Sequence, residues 1–167
     1  SGTIGDHGMA VLSSRENLSF TTTLKSDSAA LHNLVQSMIA VAPDIHALRD
    51  PTRGGVAATL NELAQQSAVG MMIDEQSIPV RDEVTGACEL LGLDPLYVAN
   101  EGKLICICAA ADADRLLAVM RADPLAHDAA VIGRVVEDEH YMVQMSTTFG
   151  GMRVVDWLSS EQLPRIC

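Results

Sequence analysis

The stretch AAVIGRVVEDEHYMVQMSTTFGGMRVVDW, residues 129–157, decides the fold class of this chain. It holds three short apolar segments, AAVIGRVV, YMVQMS and GMRVVDW, which are typical of β-strands. The turn-forming residues TTFGG separate the last two and predict a connection between neighbouring strands. Three consecutive strands that follow a region of mixed helices and strands favour an α+β domain with a mixed sheet over a purely parallel sheet.

Upstream of this stretch, apolar periodicity predicts alternating helices and strands. We expect helices from about residue 6 and within 27–42, 51–68, 79–91 and 112–122, and strands within 44–50, 69–75 and 103–110. Asp27 or Ser28 is expected to cap the second helix, an aspartate to cap the last, and Gly92 to end the fourth. The apolar run from 103 to 110 is expected to be a strand buried on both faces.

Composition limits the possible partners. The 167 residues are 48% hydrophobic and carry a formal net charge of −11, which argues against nucleic acid or an anionic membrane as a general partner. No apolar run approaches the roughly 20 residues of a membrane span, and no signal peptide is visible. The four cysteines match no zinc signature, and His32, His46, His127 and His140 have no partner at metal-ligand spacing. We therefore predict reduced thiols, no metal site and a cytoplasmic location.

The motif LRDPTRGGVA, residues 48–57, places Asp50 and Arg53 before a glycine pair at the start of a helix. Helix-start N–H groups at Gly54 and Gly55 favour an anion, and the Arg53 guanidinium adds further donors. A phosphate, or a carbonyl oxygen becoming negative, fits this motif. A strand-to-helix turn capped by Asp50 or Thr52 is the structural alternative.

The motif YVANEGKLI, residues 97–105, places Glu101 just before an apolar strand. A carboxylate at the mouth of a sheet can act as a general base when burial raises its pKa. A polar loop with Lys103 as a solvated neighbour is the alternative. In GTIGDHG, residues 2–8, His7 can orient a substrate or titrate near neutral pH, while capping of the next helix by Asp6 is the more ordinary role.

The chain ends in LPRIC, with Cys167 as its last residue. This position is not the fourth from the end that a prenylation signal requires. Chain ends are usually mobile, so a terminal thiol can visit more than one active site as a carrier and nucleophile. An incidental thiol is the alternative.

Together, SGTIGDHG, RDPTRGG, NEGKL and the terminal PRIC resemble the C-terminal half of the HypE family of hydrogenase maturation proteins. That family belongs to the PurM-like (AIR synthase-like) superfamily of enzymes that use ATP. The resemblance implies a three-layer α/β/α domain over residues 1–159 and a mobile tail over 160–167. It also implies that the N-terminal half, which carries most of the ATP and Mg²⁺ site and of the homodimer contact, is absent from this chain.

The resemblance further implies an ATP-dependent dehydration. A carbamoyl group placed on Cys167 by the carbamoyltransferase HypF becomes a thiocyanate, and its cyano group passes to hydrogenase iron on the HypC–HypD scaffold. Glu101 is then the candidate base, Arg53 with Gly54 and Gly55 the phosphate-binding group, Asp50 a positioning group and His7 a residue of the interdomain cleft. An isolated domain that only presents its tail to these partners is the alternative function.

Overall fold

The computed structural model describes residues 1–16 and 24–157. Within these ranges the helices are α1 (Asp6–Arg15), α2 (His32–Val41), α3 (Gly55–Ser67), α4 (Asp82–Leu91) and α5 (Ala113–Ala122). The strands are β1 (Ala47–Arg49), β2 (Gly70–Asp74), β3 (Ile105–Ile107), β4 (Gly133–Val136), β5 (Val143–Ser146) and β6 (Met152–Val154). Every element expected from the apolar pattern is therefore present, although several begin later than predicted.

The strands form two sheets. A four-stranded sheet has the order β4-β2-β5-β6, in which β2 is antiparallel to β4 and parallel to β5. Strands β5 and β6 form the antiparallel hairpin predicted around TTFGG. Strands β1 and β3 make a separate antiparallel pair. The predicted α+β class with a mixed sheet is confirmed.

Two apolar clusters lie on opposite faces of β3. On one face, Ile105 and Ile107 join a cluster built by α3 and the inner face of the four-stranded sheet. On the other face, Cys106 joins a cluster built by α2 and α5, in which Leu34 and Met38 are buried. This helix–sheet–helix layering follows from the alternation of side chains along a strand. Each fully buried aliphatic side chain contributes about 1.5–3 kcal/mol to folding.

Two helices begin later than the sequence suggests. Helix α2 begins at His32 and has Leu31 at its N-cap position, so the expectation that Asp27 or Ser28 caps it is wrong. Helix α4 begins at Asp82 rather than Pro79 and ends, as predicted, at Gly92 with a left-handed φ of 66°. At the start of α5, the Asp112 side chain forms no cap; its carboxylate pairs with Arg115 at 2.6 Å instead.

Strand β3 is shorter than the predicted run from 103 to 110, and its residues are only half-buried. Both faces of β3 pack against apolar clusters, as predicted, but burial is incomplete because, in the part of the chain that the structure describes, β3 pairs with β1 along one edge only. None of the described helices has the length and apolar character that crossing a membrane requires.

Candidate functional site

Asn100 connects three motifs that contain glycine: GTIGDHG, LRDPTRGGVA and YVANEGKLI. The backbone N–H of Gly5 donates to Asn100 Oδ1 at 2.8 Å. The side-chain amide of Asn100 donates to the carbonyls of Pro51 at 3.1 Å and Val98 at 2.9 Å, and its backbone N–H also donates to Pro51. Asn100 is 1% exposed. Because buried amide groups need hydrogen-bond partners, this side chain holds residues 5, 51 and 98 in one fixed arrangement. We call this set of contacts the Asn100 junction.

Glu101 follows the Asn100 junction directly and is half-buried. The next residue, Gly102, has a left-handed φ of 67°, and a Cβ atom there would collide with the backbone of residues 27–29. Only glycine adopts this conformation readily and leaves room for that segment. The backbone of Glu101 is thus fixed by the junction on one side and by close packing on the other.

Lys103 and Asp27 form a buried ion pair beside Glu101. Their side chains are 9% and 14% exposed, and both carboxylate oxygens of Asp27 are buried. The Lys103 Nζ atom compensates this carboxylate, because a buried charge without a partner is strongly unfavourable. The alternative that treated Lys103 as a solvated loop residue is wrong, and the pairing explains why Asp27 does not cap α2.

His7 lies at the first turn of α1 and is half-buried. Its Nδ1 atom is 2.8 Å from Ser26 Oγ, and the next residue, Gly8, donates its backbone N–H to the carbonyl of Ala99 at 3.0 Å. His7 is therefore held close to the segment that leads into Asn100 and Glu101.

Asp6 has a different role from the predicted cap. The N-cap residue of α1 is Gly5, in a left-handed conformation without a side-chain cap. Asp6 is buried, accepts a 2.6 Å hydrogen bond from Thr3 Oγ1 and lies 3.5 Å from Arg81 Nε. Its carboxylate thus stabilises the turn before His7 rather than the helix N-terminus.

The DPTRGG motif presents two charged side chains to solvent. Asp50 and Arg53 are exposed, and neither side chain forms a hydrogen bond or ion pair with residues 1–16 or 24–157. The bond from Asn100 to Pro51 places this motif next to Glu101 in the fold. Both side chains are therefore exposed at this edge of the domain.

The glycine pair of this motif mainly serves packing. Gly54 is the left-handed N-cap of α3. Gly55 has a φ of 63°, and a Cβ atom there would collide with the carbonyls of Leu96 and Val98. Its N–H donates to the carbonyl of Thr52 at 3.2 Å. The close approach that glycine permits here is to the protein's own backbone, and phosphate binding by Gly54 and Gly55 stays a prediction.

The structure brings four of the predicted site residues into one region. Asp50, Arg53 and His7 lie on segments that the Asn100 junction ties to the segment of Glu101. Cys167 and the predicted tail, residues 160–167, fall outside the described residues. The roles given to these side chains therefore remain predictions.

The described cysteines are free thiols. Burial raises the pKa of Cys88 to about 11, and burial, with Cys108 nearby, raises the pKa of Cys106 to about 11. Desolvation also raises the pKa of Cys108. Because the thiolate is the reactive form, these three cysteines are poor nucleophiles at neutral pH. Within the described ranges, no group of three or more His, Cys, Asp or Glu side chains is arranged to hold a metal ion.

The sequence analysis assigned no role in the site to Asn100 or Lys103 and assigned Asp27 only the role of a helix cap. Asn100 and Lys103 were visible inside the NEGK motif, but polar residues before a strand are usual in loops. Asp27 was visible as an acidic residue before a helix, where a cap is the ordinary role. The sequence offered one signal for these roles, the cluster of polar residues around the glycine of the NEGK motif. The sequence alone does not show the partners of these residues. Asp27 lies 76 residues from Lys103, and Gly5 lies 95 residues from Asn100.

Comparison with known proteins shows the family of this chain. Residues 1–146 match the family model described as AIR synthase related protein, C-terminal domain. The carbamoyl dehydratase HypE of Cupriavidus necator is 67% identical over 167 residues, which cover 100% of this chain and 48% of that protein. The chain spans about half the length of the curated relatives it matches.

Solved structures show the same fold. A structure of hydrogenase maturation protein HypE in complex with ATP matches with a TM-score of 0.93 and 48% identity, over 99% of this chain and 51% of that one. A structure of a HypE–HypF complex matches with a TM-score of 0.90 and 43% identity, over 93% of this chain and 50% of that one. These matches confirm the fold and the family resemblance.

Proposed function

Because this chain belongs to the AIR synthase related protein C-terminal domain family, we propose that it is the second half of a carbamoyl dehydratase. In this proposal, a carbamoyl group on the sulfur of Cys167 is dehydrated to a thiocyanate during maturation of a [NiFe]-hydrogenase. The cyano group then passes to iron held by a HypC–HypD complex. The observation that carries the proposal is the Asn100 junction, which ties the segments of His7, Asp50 and Arg53 to that of Glu101.

Glu101 is the proposed base. The thiocarbamate S–C(=O)–NH₂ must lose its oxygen and both nitrogen protons to become S–C≡N. A carboxylate held by a rigid backbone can accept a proton from that nitrogen without reorganising, which is the geometry that general base catalysis requires. The junction before Glu101 and the packing at Gly102 hold its backbone in this way.

Arg53 is proposed to bind phosphate. When bound, ATP supplies the phosphoryl group that turns the carbonyl oxygen into a good leaving group. The exposed guanidinium of Arg53, beside the start of α3, fits a phosphate because its planar donors match phosphate oxygens. Asp50 holds the amide N–H of the substrate or positions Arg53, and His7 lines the cleft toward the N-terminal half.

The remainder of the nucleotide site is proposed to lie outside this chain. The HypE structure in complex with ATP contains about twice the length matched here. We assign most of the ATP and Mg²⁺ contacts, and the homodimer interface, to that other half. A cytoplasmic location fits these requirements, since ATP and reduced thiols are both found there.

The test is mass spectrometry of the full-length protein with a HypF carbamoyltransferase, carbamoyl phosphate and ATP. The Cys167 peptide should gain a carbamoyl group and then lose the mass of one water. Glu101→Gln should accumulate the carbamoyl form, whereas Glu139→Gln, an exposed control, should convert it normally. Unchanged dehydration in Glu101→Gln would remove Glu101 from the role of base.

A matched pair of cysteine variants tests the carrier. Cys167→Ala should not be carbamoylated, whereas Cys108→Ala should be modified as the unchanged protein is, because the raised pKa of Cys108 makes it a poor nucleophile. Thiocyanate formation in Cys167→Ala would refute the carrier role.

A second candidate function is a module that only presents its tail to HypF or to the scaffold. The match to the HypE–HypF complex supports it, since that complex contains a chain of this fold. Binding of the isolated 167-residue chain to HypF, without ATP-dependent dehydration, would favour it for the fragment. Dehydration by the fragment alone would contradict the assignment of the ATP site to the other half.

A further inference from the structure

One short segment of the chain, residues 26–29, contacts both His7 and the NEGK motif. Ser26 Oγ lies 2.8 Å from His7 Nδ1, and the next residue, Asp27, pairs with Lys103. The backbone of the same segment approaches the glycine of the NEGK motif so closely that a Cβ atom there would collide with it. Two neighbouring side chains of this segment therefore reach two different parts of the proposed site.

The backbone on either side of His7 is fixed by other contacts. Gly5 N–H donates to Asn100 Oδ1 at 2.8 Å, and Gly8 N–H donates to the carbonyl of the residue before Asn100 at 3.0 Å. His7 itself is half-buried, and its contact with Ser26 is the one hydrogen bond that its ring forms within the described ranges. The orientation of the ring, and the nitrogen that carries its proton, therefore depend on that bond.

The neighbouring backbone indicates the direction of the bond between Ser26 and His7. Ser28 N–H donates to Ser26 Oγ at 3.2 Å, so the hydroxyl oxygen already accepts one hydrogen bond. A serine hydroxyl has one O–H donor, and in the described part of the chain the acceptor within hydrogen-bond distance of it is His7 Nδ1. A neutral imidazole has one donor and one acceptor nitrogen, so an Nδ1 atom that accepts from Ser26 leaves the ring proton on Nε2.

We propose that Ser26 is a positioning residue for His7: its hydroxyl donates to Nδ1 and holds the neutral ring in the form that is protonated at Nε2. At Nε2 the ring then offers an N–H donor and not a basic nitrogen. Asp27, through its buried pair with Lys103, anchors the segment that carries Ser26. This position of the proton follows from the contacts alone and does not depend on the proposed catalytic function.

This form of His7 suits one need of the proposed dehydration, and here the inference rests on that function. Glu101, as a carboxylate, accepts protons from the substrate nitrogen, whereas the substrate oxygen becomes negative as it leaves and needs donors. The Nε2–H of His7 is such a donor, and a fixed neutral donor stabilises developing charge without giving up its proton. We therefore expect His7 to hydrogen-bond the departing oxygen rather than to exchange protons with the substrate.

Nitrogen-15 NMR of the full-length protein, labelled in its histidine rings, tests the position of the proton. At about pH 8.5 an ordinary imidazole is neutral, and its two nitrogens differ in chemical shift according to which one is protonated. The His7 signals, identified by their loss in His7→Gln, should show a protonated Nε2 and a bare Nδ1. Ser26→Ala should shift the Nδ1 signal and let the other tautomer appear, whereas Ser28→Ala, which keeps its backbone N–H, should change neither. A proton on Nδ1 in the unchanged protein, or identical His7 signals in Ser26→Ala, would overturn the proposal.

Single-turnover dehydration of the carbamoylated full-length protein tests the catalytic consequence with the same variants. Ser26→Ala should be slower by at least about tenfold, because misplacing a reacting group costs up to about a hundredfold in rate. Ser26→Thr, which keeps the hydroxyl, should recover most of the rate, and Ser28→Ala should retain it. An unchanged rate in Ser26→Ala would contradict the positioning role in catalysis.

Two substitutions of the histidine separate a donor from an acid or base. His7→Ala should lose about a hundredfold in rate, as expected when a donor to a developing negative charge is removed. His7→Gln should be faster, because its amide N–H can replace the Nε2 donor although it cannot titrate. Equal rates for these two variants would contradict the donor role. An inactive unchanged protein would refute the proposed function but not the position of the proton, which the NMR signals decide.

Discussion

Residues 100–103 and residues 104–108 follow each other along the chain, yet their polar groups are satisfied differently. Residues 100–103 meet their partners inside the domain, through the contacts of Asn100 and the Lys103–Asp27 pair. Residues 104–108 have one strand edge that, within the described ranges, meets only Ser1. The comparison teaches that side chains from distant segments satisfy residues 100–103, whereas backbone pairing satisfies only one edge of β3 along its length in the described ranges. Four predictions follow from these contacts: three are ordered by their effect on the free energy of unfolding, and the fourth concerns thiol reactivity.

The largest effect is expected for Lys103→Met. This change leaves the Asp27 carboxylate buried without its partner, and should lower the free energy of unfolding by about 3–5 kcal/mol. Urea denaturation followed by circular dichroism measures it. Arg115→Met, which breaks the more exposed pair with Asp112, is the control and should cost less than about 1 kcal/mol. Similar values for the two variants would show that the Lys103–Asp27 pair is not buried in solution.

Asn100→Ala should be next, with a loss of about 2–4 kcal/mol. The substitution leaves the N–H of Gly5 and the carbonyl of Val98 buried without their partner. Asn33→Ala, at an exposed position of α2, provides the control with the same change of side chain and should be nearly neutral. If Asn100→Ala is also nearly neutral, the junction does not hold the three motifs together.

Gly55→Ala and Gly86→Ala should change stability in opposite directions. At Gly55 the left-handed φ and the approach of the 96–98 backbone make alanine unfavourable by about 1–3 kcal/mol. Gly86 lies inside α4 with open space around it, so alanine there should stabilise the protein by about 0.5–1 kcal/mol. Thermal denaturation of both variants provides the measurement, and a destabilising Gly86→Ala would contradict the helix assigned to residues 82–91.

The smallest effect concerns thiol chemistry rather than stability. With a pKa near 11 instead of 9.0, Cys88 and Cys106 hold about a hundredfold less thiolate at pH 8. Alkylation by iodoacetamide should be slower by a similar factor, and should rise about tenfold per pH unit until pH approaches 11. The urea-unfolded chain is the control, in which all cysteines should react alike. Rapid alkylation of Cys106 in the folded protein would contradict the burial that raises its pKa.

Much of the fold was predictable because it depends on local patterns. Apolar spacing located all five described helices and all six strands, and the turn residues TTFGG located the β5–β6 hairpin. Glycine at 92 ended α4 because only a residue tolerant of a left-handed conformation suits that position. Helix starts were less predictable, since Asp27 is as suitable for an ion pair as for a cap, and the deciding partner, Lys103, lies 76 residues further along the chain.

By itself, the sequence determined the fold class, the order of elements and the motifs that carry the proposed chemistry, since these follow from residue type and short-range spacing. Only the tertiary structure decided that Lys103 is buried, that Asn100 binds residues 5, 51 and 98, and that β3 pairs with β1 in a sheet separate from the other four strands. These facts depend on contacts between residues far apart in the chain. Polar side chains such as Asn and Lys suit a solvated loop and a buried network equally well, and only the partner that folding brings to them selects between the two.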